Sequence, residues 1–148
     1  MKKRTVAEYM SMKKRTIAEC MTKSPHTIGV EQTLAQAHDL MRGYRVRHLP
    51  VLARGKLVGM VSQRDLHLIE ALSDVSPSTV RVEEAMSQLP YTVEANAPLE
   101  EVVTQMADKR FGSAVVTDRG QVVGVFTTTD ALRVLAETLR QGRPGRAA

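Results

Sequence analysis

Cysteine occurs once in this 148-residue sequence, at Cys20, so no disulfide can form within the chain and a cage of thiolates around a metal is excluded. Tryptophan does not occur. Tyr9, Tyr44, Tyr91, Phe111 and Phe126 are the only aromatics, thin provision for the stacked platforms that hold single-stranded nucleic acid. The longest apolar stretch lies around residues 57–61, far short of the roughly 20 residues a membrane helix needs. The four histidines (His26, His38, His48, His67) do not fall at an i,i+4 spacing with a carboxylate partner, so no metal is expected. Residues 1–4 have the charge of a leader peptide's first segment, but no apolar segment follows, and a cytoplasmic protein is expected.

Apolar residues make up 43% and charged residues 25% of the chain, the balance of a water-soluble domain with a real core. The formal net charge is +5, and its location matters. Residues 1–23 carry a net +5 and residues 133–148 a net +3, while residues 24–132 carry a net −3. Basicity confined to the ends reads as solvated flanks more readily than as a nucleic-acid or membrane surface.

Two repeats organise the sequence. The shorter is Thr5-Val-Ala-Glu-Tyr-Met10 followed eleven residues later by Thr16-Ile-Ala-Glu-Cys-Met21, each behind Met-Lys-Lys-Arg. It is too short for a solenoid and reads as a duplicated start, with residues 1–11 ordered only where a neighbour supports them. The longer repeat has a period of sixty-five. Residues 21–65 align with 86–130 without a gap, and twelve of the forty-five positions are identical, including Met21/Met86, Pro25/Pro90, Thr27/Thr92, Arg54-Gly55/Arg119-Gly120, Gly59/Gly124 and Asp65/Asp130. About three identities are expected by chance from average residue usage.

Each long repeat reads alike. An extended segment at Thr27-Ile28 or Thr92-Val93 follows a proline. An amphipathic helix comes next, with Leu34, Ala37 and Met41 in the first copy. In the second, Leu99, Val102, Val103 and Met106 follow Asn96 as cap. A hairpin turns at Arg-Gly, with arms 49–52 and 57–61, then 114–117 and 122–126. A closing helix runs over about 65–72 and about 130–139. The fold class expected is α/β (α+β): two pseudo-symmetric β-α-β-β-α repeats packed as one domain. The divisions are a basic extension at 1–14, repeats at 15–72 and 80–139, a linker at 73–79 and a flexible basic tail at 140–148. Met21, Met41, Met86 and Met106 recur at matched places and read as core filler.

The chemistry gathers where the second hairpin arm meets the closing helix, in Gly-Met-Val-Ser62-Gln-Arg64-Asp65 and Gly-Val-Phe-Thr127-Thr-Thr129-Asp130. A helix mouth holds anions, and a carboxylate can accept from both hydroxyls of a ribose. Ser-x-x-Asp and Thr-x-x-Asp are also capping-box patterns, and a cap and a ligand contact can coexist.

The order of these motifs, present twice with Arg47-His48-Leu-Pro-Val in the first copy, resembles the cystathionine β-synthase (CBS) domain, arranged as the tandem pair called a Bateman module. The resemblance covers residues 15–139. It implies a regulatory module that binds an adenosine-containing ligand (AMP, ADP, ATP, S-adenosylmethionine, sometimes a dinucleotide) in clefts between the repeats and signals to a partner protein. In one expected cleft, Thr127, Thr129 and Asp130 meet Ser24, Thr27, Val46 and Arg47; in the other, Ser62, Arg64 and Asp65 meet Pro90, Thr92, Phe111 and Gly112. Arg47 and His48, against Gly112 and Ser113, add positive charge, and Val115 replaces Pro50, so the clefts are unequal. Arg64 stands where the second copy has Thr129, which favours the more anionic ligand at Asp65. The apolar residues Leu66, Ile69 and Leu72, and Leu132, Leu135 and Leu139, suggest a homodimer through the closing helices.

No Walker loop, dinucleotide-binding glycine triplet, His-Glu-x-x-His helix or nucleophile elbow occurs, so the expectation is a non-enzyme with no required cofactor. Two other functions compete: a ligand-independent dimerisation scaffold with degenerate clefts, and nucleic-acid binding through the basic ends.

Overall fold

A computed structural model describes residues 3, 5–13, 15–72 and 74–142. The expected tail lies mostly outside them. The chain divides into two compact units, one built on residues 24–91 with 119–123, the other on 1–23, 92–118 and 124–148. These are not the two sequence repeats. The opening segment of each repeat belongs to the unit formed by the body of the other.

In the first unit, β2 (Ile28–Gly29) lies parallel to β3 (His48–Ala53), with helix α2 (Leu34–Tyr44) connecting them, and β3 turns back antiparallel into β4 (Lys56–Ser62). Helix α3 (Gln63–Glu70) follows at once. The second unit repeats this with β6 (Thr92–Glu94), α4 (Leu99–Lys109), β7 (Ser113–Asp118), β8 (Gln121–Thr127) and α5 (Thr128–Gln141). Both hairpins turn on two residues with positive φ, Arg54-Gly55 and Arg119-Gly120, the twist of a type I′ turn. The mixed α+β class and the hairpins are as expected.

Each sheet has a fourth strand that the sequence did not announce. β1 (Thr22–Lys23) pairs antiparallel with β8, and β5 (Ser87–Gln88) pairs antiparallel with β4. The sheet orders are therefore β2-β3-β4-β5 and β1-β8-β7-β6. One turn of 3-10 helix precedes each short strand, at Ile17–Glu19 and Val82–Glu84. These turns dock by main-chain bonds that match residue for residue. Ile17 N–H donates to the Ala97 carbonyl (2.9 Å) and Val82 N–H to that of Gln32 (2.7 Å). In return Leu99 N–H, at the start of α4, donates to Arg15 (2.8 Å), and Leu34 N–H, at the start of α2, donates to Val80 (3.0 Å).

That exchange corrects the expected cap of α4. Pro98, not Asn96, holds the N-cap position and makes no side-chain bond, because the lead-in main chain already takes the first amide. α2 has in addition a reciprocal box between Thr33 and Gln36. The closing helices depart from expectation too. Leu66 is fully buried and Ile69 packs on the core, so the exposed leucines of α3 and its end are Leu68 and Leu72. Period 3.6 places 66 and 69 on the inner stripe and 68 and 72 on the outer one.

The cores lie between sheet and helices. Ile28, Leu34, Leu49, Val51, Val61, Leu66 and Val82 fill the first. Ile17, Val102, Val115, Val116 and Phe126 are fully or almost fully buried in the second. Met21 and Met86 do more than fill space. Each lies across the glycine of the strand its segment joins, so that a Cβ on Gly59 would stand 2.6 Å from Met86 Sδ, and one on Gly124 would collide with Met21.

The short repeat has two fates. In the first copy Thr5 and Glu8 exchange main-chain to side-chain bonds (2.9 and 3.2 Å) and cap α1 (Val6–Lys13), a helix the sequence had not announced. Val6 is 80% exposed there, while its counterpart Ile17 is 0% exposed. Truncating these two residues should separate the copies. Ile17→Ala is expected to cost about 2–5 kcal/mol in chemical denaturation, as a large-to-small core change does. Val6→Ala should stay within about 0.5 kcal/mol.

Candidate functional site

Both Ser/Thr-x-x-Asp motifs are complete capping boxes. Ser62 N–H donates to Asp65 Oδ2 (2.8 Å) while Asp65 N–H donates to Ser62 Oγ (3.1 Å). Thr127 N–H donates to Asp130 Oδ2 (2.9 Å) and Asp130 N–H to Thr127 Oγ1 (3.5 Å). The local cause is plain. β4 and β8 end in extended residues (Ser62 φ −109°, Thr127 φ −113°) whose hydroxyls meet the first free amides of the helix. The box also fixes each carboxylate.

The two carboxylates differ in their other oxygen. Asp130 Oδ1 accepts from Thr22 Oγ1 and from Arg133, both at 3.4 Å, and the residue is 7% exposed. Asp65 is half-buried, and among the described residues no hydrogen bond reaches its Oδ1. One rigid carboxylate therefore has acceptor capacity left at a helix mouth, and the other is largely engaged. Arg133 could have been found from its place one helical turn after Asp130. Thr22 could not, because only the exchanged strand β1 brings it there.

In the unit of Asp65 the structure places Ser24, exposed with φ 49° just after β1, and Thr27 and Val46, both half-buried. Arg47 and Arg64 are exposed there, and His48 and Pro90 half-buried. The carbonyl of Arg47 accepts from Gln63 N–H (2.9 Å), which seats this strand edge beside the motif of its own repeat. The other unit holds Thr92 in β6, Phe111 at 39% exposure, Gly112, and Thr129 on the first turn of α5. There Thr128 N–H donates to the Gly112 carbonyl (3.2 Å), the same contact one repeat later. Two features went unread in the sequence. His26 stacks on Tyr44 with centroids 3.4 Å apart, and His38 Nε2 meets Glu70 at 2.6 Å.

The sequence pattern of the CBS domain matches residues 17–69 and again 82–137. The chain belongs to the CBS domain family. Among similar proteins, Hypoxic response protein 1 of Mycobacterium tuberculosis is 28% identical over 111 residues, 74% of this chain and 78% of that protein. A crystal structure of CBSX2 in complex with AMP is 25% identical with a TM-score of 0.70, covering 84% of this chain and 98% of the other. The CBS domain pair of MJ0100, solved with 5′-methylthioadenosine and S-adenosylmethionine, is 23% identical with a TM-score of 0.76, covering 84% and 98%. At that identity it speaks for the fold. Among the described residues of this CBS pair, no group of three or more His, Cys, Asp or Glu is placed to hold a metal ion, and no helix is long and apolar enough to cross a membrane.

Cys20 stands apart from the motifs. Burial pushes its thiol above the ordinary cysteine value, with the Arg15 guanidinium opposing. Alkylation at neutral pH should thus be slower than for a free cysteine and should accelerate with rising pH, measured by mass spectrometry; a rate equal to that of a free thiol at pH 7 would contradict this. For the caps, Ser62→Ala and Thr127→Ala should each lower stability by about 1 kcal/mol.

Proposed function

We propose that this CBS pair is a regulatory module that binds an adenosine-containing ligand, AMP, ADP, ATP or S-adenosylmethionine, and transmits its occupancy to a partner protein. The observation that carries the reading is Asp65. Its carboxylate is locked by Ser62 through one oxygen and open at the other, at the mouth of α3. A ribose presents two adjacent hydroxyls, and such an oxygen can accept from them without reorganisation. Arg64, exposed on the first turn of α3, supplies a guanidinium that forks onto phosphate. The complex of CBSX2 with AMP supports the ligand class.

The Asp130 motif is the weaker half-site in this reading. A ribose there competes with Thr22 and Arg133 for Oδ1. Ser24, Thr27, Val46, Arg47, His48, Pro90, Thr92, Phe111, Gly112, Thr127 and Thr129 are proposed as further ligand contacts. Regulation requires the ligand to favour one arrangement of the protein over another, and the shift is limited by that difference in affinity. The module needs no catalytic group for this role. A homodimer is proposed as well: Leu132, Leu135 and Leu139 on α5 are 64, 52 and 59% exposed at helical spacing.

Thermal denaturation with each ligand tests the proposal. A ligand present at a hundredfold its dissociation constant adds about 2.7 kcal/mol of stability. Asp65→Asn, which keeps an acceptor for the cap, should weaken binding by about tenfold, the scale of a lost hydrogen bond to a charged acceptor. Asp130→Asn should weaken it less. No stabilisation by any of the four at millimolar concentration rejects the reading and leaves the scaffold function.

A further inference from the structure

One cavity lies wholly within the first unit, between α2 and the start of α3, with a volume of about 770 Å³. Its charged and imidazole lining is Arg42, Arg45, Arg47, His38, His67 and Asp39. The three guanidiniums make no hydrogen bond or ion pair among the described residues. The carboxylate of Glu70 nearby is already held by His38, whose ring stacks on that of His67 at 5.8 Å. Asp39 alone opposes three positive charges.

The internal duplication supplies the control. Sixty-five residues on, the positions of His38, Asp39, Arg42, Arg47 and His67 are occupied by Val103, Thr104, Ala107, Gly112 and Leu132. The same scaffold therefore folds without this set, and the fold does not explain it. A helix dipole favours cations at the end of α2, but α4 meets that with Lys109 and Arg110 alone. Converging arginines without partners suit an anion that presents several oxygens, because each planar guanidinium can engage two of them. The volume is that of a small-molecule pocket.

We propose that this pocket is a site for a chain of two or more phosphates. The chain is either a free inorganic polyphosphate or the tail of a nucleotide whose ribose is at Asp65; only the second source rests on the function proposed above. Gln63 lines the pocket and directly follows Ser62, so the pocket opens one residue from the capped motif.

Calorimetric titration of the full chain with sodium tripolyphosphate tests the site. Saturable one-to-one binding is expected, weakened about tenfold or more in Arg42→Ala/Arg45→Asn, which removes two charged forks. Arg54→Asn/Arg119→Asn takes the same charge from the hairpins and should change binding less than twofold. Equal losses in both pairs, or none in either, would overturn the proposal. Asp65→Asn should weaken AMP while leaving tripolyphosphate unchanged, so this site and the adenosine reading fail separately. Tighter binding of ATP than AMP, abolished in Arg42→Ala/Arg45→Asn, identifies the nucleotide tail as the source. Tripolyphosphate binding without an ATP advantage identifies the free polyanion.

Discussion

The first amide of α2 and that of α4 donate to the main chain at the start of the other repeat, and the rest of each unit depends on that bond and its neighbours. Unpaired amides at a helix start, left without water, cost about as much as a lost hydrogen bond. Ile17 and Val82 are buried by the same docking, each stabilising its unit by roughly 2 kcal/mol. A repeat taken alone would lack its fourth strand, a core residue and the acceptor for its helix. The duplication thus yields two units that are each completed by exchange, which accounts for a compact division that differs from the sequence repeats.

The exchange also shapes the sites. β1 lays Met21 across Gly124 and brings Thr22 to Asp130, while β5 lays Met86 across Gly59. A strand ending in Gly-x-x-Ser/Thr-x-x-Asp therefore serves three neighbours at once. The glycine admits the crossing methionine, the hydroxyl caps the helix, and the aspartate closes the box. The capping reading and the ligand reading do not compete for the same atom at Asp65, because the cap uses Oδ2 alone. At Asp130 both oxygens are engaged.

Much of this was legible in the residues. The period of sixty-five, the Arg-Gly turns and the paired motifs follow from local chemistry, and local chemistry is what a sequence displays. The exchanged segments were not legible. Their strands are two residues long, and Ile17 and Val82 sit among charged neighbours with no alternation to reveal a buried face. Asn96 looked like a cap because the acceptor that takes the Leu99 amide, Arg15, lies 84 residues from Leu99 in the chain. Leu66, Ile69 and Leu72 recur every three residues, a spacing that does not by itself say which of them faces the core; Leu66 is fully buried, while Leu72 lies exposed just past the end of α3. The His38–Glu70 pair spans 32 residues and two helices.

In the proposed site at Asp65, one carboxylate oxygen of this CBS pair receives a ribose while the cap holds the other. Amide resonances of residues 62–65 and 127–130, followed by NMR through a titration with AMP, distinguish this site from the one at Asp130. Saturable shifts are expected at Ser62 and Asp65 at lower ligand concentration than at Thr127 and Asp130. Shifts confined to residues away from both motifs, or appearing first at Asp130, would contradict that assignment.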